Sequence, residues 1–167
     1  MKKLILLSAL FIIACNSEPK LISYENLYEI ELPGDMTPMT SEINDDASIQ
    51  YANLFKEKYF MIIHESKSDF IGYSGEEDYF GKFVEYRTNS IEDSFNGLSK
   101  TKNITLNGST NGVLLEIEGK IDGIKLIWNT IFVEGKSNLY QLCFWTLINR
   151  DYNMEELLLS ARTFREF

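Results

Sequence analysis

The chain has 167 residues, 44% hydrophobic and 25% charged, with 25 acids against 16 Lys and Arg and a formal net charge of -9 at pH 7. That length is enough for one domain with a real core and short for two. The acid excess argues against nucleic acid as a partner, and two cysteines with a single histidine can furnish neither a disulfide framework nor a normal zinc ligand set.

Met1-Lys2-Lys3 followed by the apolar run Leu4–Ala14 has the basic and apolar regions of a signal peptide and is too short for an ordinary membrane span. Its end, Ile12-Ile13-Ala14-Cys15, resembles the bacterial lipobox, in which a small residue precedes a cysteine that is diacylated and becomes the mature N-terminus. The expectation is therefore a signal peptide over 1–14, a lipidated Cys15, a linker to Tyr24, and one domain over 25–167. Loss of Lys2 and Lys3 with the signal would leave the body more acidic still. Asn16 stands where an inner-membrane retention signal has Asp, which favours the outer membrane.

In the body, Leu27–Leu32 alternates apolar and acidic residues as a half-buried strand does. Pro33-Gly34 ends it, and a loop is expected through Asp46. Ile49–Phe55 and Tyr59–His64 form a hairpin around Lys56-Glu57-Lys58, and Glu65–Glu77 is a polar connection. From Asp78 to Lys100 the apolar residues change to helical steps, with Ser90 and Asp93 suggesting an N-cap within. One bent helix or two joined ones is the expectation there. Asn103–Leu106 is a short strand, and Asn107–Gly112 turns into the strongest pattern in the chain, Gly112–Ile148. This is a three-stranded antiparallel meander, its first turn marked by Asp122-Gly123 and its second by Glu134–Asn138. Met154, Leu157, Leu158, Ala161 and Phe164 then stripe a final helix packed on the sheet.

Strands joined by hairpins, with helices in the middle and at the end, give an α+β class: an antiparallel meander with helices packed on it. The opening strand closing in Leu-Pro (Tyr28–Pro33), the long middle helical region, the meander and the last helix with Thr163-Phe164 near its end resemble the PsbP-like fold. That α/β/α sandwich is shared by photosystem accessory proteins, a Ran-binding nuclear transport factor and many small bacterial lipoproteins. The resemblance implies binding or assembly roles and carries no catalytic constellation.

Few residues invite chemistry. His64 beside Glu65 could serve as a general base, but no G-x-S-x-G elbow supplies a nucleophile. Cys143, inside an apolar strand, reads as an inert buried thiol. Asp45-Asp46 and Glu76-Glu77-Asp78 could offer oxygens to calcium, yet no EF-hand-type loop occurs and a solvated face explains them. Glu116 and Glu118 share a strand face, as a glycosidase pair would, but the wet side of an edge strand is the better reading of them. The aromatics Trp128, Phe132, Tyr140, Phe144 and Trp145 read as core. The expected function is thus a membrane-anchored envelope lipoprotein acting as a non-catalytic binding or accessory module, with no cofactor and with a protein partner in the envelope. The alternative is an envelope hydrolase centred on His64 and the acids of Asp69–Asp78.

Overall fold

A computed structural model describes residues 17–41, 43–75, 77–107 and 110–167. The signal peptide, Cys15 and Asn16 lie outside the described residues, as does Glu76. The strands are β1 (Lys20–Tyr24), β2 (Tyr28–Leu32), β3 (Thr37–Pro38), β4 (Ala47–Asn53), β5 (Lys58–Ser66), β6 (Leu98–Leu106), β7 (Thr110–Ile121), β8 (Ile124–Glu134), β9 (Asn138–Leu147) and β10 (Arg165–Glu166). The helices are α1 (Lys67–Ser74), α2 (Tyr79–Ser94) and α3 (Asn153–Ala161), with a 3-10 turn over Ile148–Arg150.

Seven strands form one antiparallel sheet in the order β3-β4-β5-β9-β8-β7-β6, and β1, β2 and β10 form a second, small sheet. The expected meander is β7-β8-β9 at the centre of the large sheet. Its first turn uses positive φ at Asp122 and Gly123 (50° and 83°), as the sequence requires. Both faces of this sheet are covered. On one, Phe60, Ile62, Leu114, Ile131, Leu142 and Phe144 pack with Tyr28 and Ile30 of the small sheet and with Leu157 and Ala161 of α3. On the other, Leu115, Ile117, Phe132 and Leu139 receive Phe70 of α1 and Phe83 of α2. The architecture is the α/β/α sandwich the sequence implies.

Several local expectations change. Lys20–Tyr24, read as linker, is a strand paired residue by residue with β2 across a turn in which Glu25 and Asn26 both take positive φ (44° and 55°). Folded structure therefore starts before residue 25. The 65–77 stretch, read as a connection, holds the end of β5 and all of α1. Helix α2 runs unbroken through Asn89 and Ser90 and stops at Ser94; Leu98–Lys100, assigned to helix, belongs to β6, where Leu98 is exposed because that strand is the sheet's edge. The edge strands are thus β3 and β6, and β7 with Glu116 and Glu118 is internal. Phe55 lies beyond β4, in the turn to β5. The last helix ends at Ala161, and Phe164 is buried in the segment that leads to β10, which pairs with β2. Glu29, expected on the wet side of β2, is buried, and Arg165 of β10 pairs with its carboxylate.

Lys58 opens β5 with its side chain 1% exposed, its ammonium donating to Asp35 Oδ1 at 2.6 Å and to Glu156 Oε2 at 2.9 Å. A buried charge is tolerated only when paired in this way. The contact ties the loop after β2, the start of β5 and α3 to one point.

A candidate binding groove beside helix α2

Helix α2 is seated off-centre. Phe83, wholly buried, meets the Phe132 ring edge-on at 5.8 Å and the Phe70 ring at 5.5 Å, and Phe95, just past the helix, meets Trp128 at 5.7 Å. The helix therefore lies toward β7 and β8 and leaves the strip over β5 and β9 open. A groove of about 350 Å³ results. Its floor is Met61 and Ile63 of β5, Gln141 and Cys143 of β9, and Trp128 of β8; one wall is Arg87, Ile91 and Phe95, and the other is the Ile43–Asp46 turn. Gln50 of β4 holds that turn: its Oε1 accepts from the Ile43 and Asn44 amides, and its Nε2 donates to the Asn44 carbonyl at 2.8 Å.

Arg87 brings a positive charge to the wall of a groove whose floor is largely apolar. Its Nη2 donates to Glu65 Oε1 at 2.7 Å, while its Nε is buried and has no partner among the described residues. A buried donor without a partner is costly, and such atoms mark places where something else completes the bond. Three stacked rings close the lower end: Tyr59 on Trp145 at 5.1 Å, and Trp145 on Trp128 at 4.5 Å. Trp128 Nε1 is satisfied by Thr130 Oγ1 at 2.8 Å. Cys143 is 2% exposed, and burial pushes its thiol up to about 12, so it contributes a floor atom and no nucleophile. The groove offers a largely apolar floor with the Gln141 amide in it, and walls that carry the Arg87 guanidinium, the Asn44 amide, the Asp46 carboxylate and the Ser90 and Ser94 hydroxyls.

The other residues singled out from sequence are dispersed. His64 and Glu65, consecutive on β5, project to opposite faces of the large sheet. His64 faces the rings of Tyr24 (5.9 Å) and Tyr140 (6.2 Å), while Glu65 pairs with Arg87 on the α2 side. They make no dyad, and Asp69, Glu77 and Asp78 lie in the α1–α2 region on the α2 side as well. Glu116 accepts from Lys102 at 2.9 Å and lines, with Glu118, Lys100 and Asn129, a cleft of about 470 Å³ beyond α3. Among the described residues no group of three or more His, Cys, Asp or Glu could hold a metal ion. None of their helices is long and apolar enough to cross a membrane.

The arrangement is that of the PsbP-like fold: a central antiparallel sheet between helices. Among solved structures, the chain is similar to CyanoP, the cyanobacterial PsbP of Synechocystis sp. PCC 6803, at 12% identity and TM-score 0.60, covering 90% of this chain and 94% of that one. It is similar to LpqN of Mycobacterium tuberculosis, described as involved in cell envelope biogenesis, at 12% identity and TM-score 0.57 over 92% and 87% of the two chains. PA94 of Pseudomonas aeruginosa, described as a putative regulator of unknown function, matches at 15% identity and TM-score 0.51 over 87% and 94%. No family model and no curated protein matches the chain in sequence.

Proposed function

We propose that this chain is an envelope lipoprotein, held to the membrane by an acylated Cys15, whose body works as a non-catalytic accessory by binding a partner protein in the α2 groove. The observation that carries the binding role is the groove itself, an apolar floor with the unspent Nε–H of Arg87 at its wall. The lipobox-like end of the leading apolar run supports the anchor, and Asn16 after it favours the outer membrane. The envelope role described for LpqN is consistent with that location. Multiple acyl chains on one cysteine give stable anchoring where a single chain would not.

A photo-crosslinking residue at Ser90, on the groove wall, should capture a protein partner in intact membranes, and one at exposed Tyr73 should not. Capture at neither position, or equally at both, would sink the binding role. For the anchor, Cys15→Ala should move the protein out of the detergent phase; an unchanged partition rejects it. His64→Ala should leave the accessory phenotype intact, and its loss in a normally folded variant would restore the hydrolase reading.

A further inference from the structure

We propose that the end of the molecule formed by the β4–β5 turn rests in the lipid surface itself, so that the body is docked on the membrane and not merely tethered to it; this deepens the anchored reading above. The turn carries Leu54 and Phe55 side by side, 67% and 91% exposed. Strand register puts further apolar groups at the same end. Lys58 pairs with Thr146 and Thr146 with Ile127, so the Asp122-Gly123 turn and the exposed Ile124 lie beside the β4–β5 turn. Tyr152, also exposed, joins them, because its neighbour Asn153 donates to the Lys56 carbonyl at 2.8 Å.

The chain's own path favours lipid as the occupant. Ser17 and Glu18 run against Gly34, whose neighbour Asp35 pairs with Lys56 of the turn at 2.7 Å. The described body thus begins, at Ser17, at this end. Cys15 is two residues from Ser17, a reach of at most about 7 Å, so acyl chains there would hold Phe55 close to the bilayer. Charges of both signs meet here: Lys56, Lys58, Lys125 and Arg150 stand among Asp35, Glu57, Asp122, Asp151 and Glu156. Aromatic and aliphatic side chains at a turn tip, interleaved with cations, suit the headgroup boundary, whereas left in water they are a solubility liability.

The test uses the full-length protein purified from membranes and reconstituted into vesicles of phosphatidylethanolamine and phosphatidylglycerol. An environment-sensitive fluorophore is placed at Phe55→Cys and, as control, at Tyr73→Cys in α1; buried Cys143 does not label in the folded protein. Expected is a blue shift at 55, with loss of intensity when nitroxide lipids are included, and water-like emission at 73. Acylated, vesicle-bound protein with the same water-like emission at both positions overturns the docking and leaves the anchor standing. Protein lacking acyl mass on Cys15 but shifted at 55 by vesicles overturns the anchor and leaves the docking; lacking both, it overturns both. A shift at 55 that follows protein concentration without vesicles assigns the tip to a second copy of the chain and overturns the lipid assignment.

Discussion

Lys58 and Asp35 form an ion pair at 2.6 Å in which the ammonium is almost completely withdrawn from water. Glu156 and Lys56 extend it to a four-charge network. Lys58→Ala would leave Asp35 one partner poorer and remove a buried alkyl stem, for a cost of about 2–4 kcal/mol. Urea unfolding at neutral pH checks this; a loss within error of zero would mean the pair is energetically idle.

Two carboxylates make stability depend on acid. Burial would raise the Asp35 carboxyl, but hydrogen bonds from Lys56 and Lys58 outweigh it and hold the group below its usual range. Glu134 is held down by hydrogen bonds from Lys67 and Tyr79. Because both folded values are depressed, their contribution is complete above the ordinary carboxylate range near pH 4 and disappears as pH falls through the folded values. The urea midpoint should be flat from about pH 7 to 5 and drop below about pH 4. Asp35→Asn should lower the plateau and shallow the drop; an unchanged acid limb would count against the assignment.

Phe83 is wholly buried between Phe70, Phe80 and Phe132. Phe83→Ala should cost about 3–4 kcal/mol and unseat α2 from the sheet. Hydrogen exchange separates this from a general loss: protection should fall first in α1 and α2, before the β7-β8-β9 amides.

Gly97 precedes β6 where its backbone crosses β7. A Cβ there would collide with the Glu118 carbonyl and stand 2.6 Å from Gly119 Cα, both main-chain atoms that cannot rotate away. Gly97→Ala should therefore destabilise by about 1–3 kcal/mol, whereas Gly72→Ala, on α1 with nothing within 4 Å, should be neutral or stabilising. Thermal melts of the two variants check the contrast.

What could be foreseen from residues follows the strength of local signals. The meander was legible because long alternation and Asp122-Gly123 agree on one register. Helix α1 was not, since KSDFIGYS buries only Phe70 and shows no apolar stripe. Leu98 falls three residues after Phe95 and so imitates a continuing helix, although it is exposed on an edge strand. β1 escaped because its hairpin turn is Glu25-Asn26 and lacks glycine, and β10 because two residues carry no period. The groove gathers β5, α2, β8, β9 and the turn after β3; Cys143, Trp128, Ser90 and Asp45-Asp46 stood out beforehand, each for another reason. Arg87 gave no advance signal, since a lone arginine on an amphipathic helix looks like any solvated one.

The pairing of β10 with β2 joins residues 165 and 166 to 29 and 28. The small sheet is therefore a local β1–β2 hairpin completed by a strand more than 130 residues further along, so its third member depends on the strand pairing of longest sequence separation in the fold.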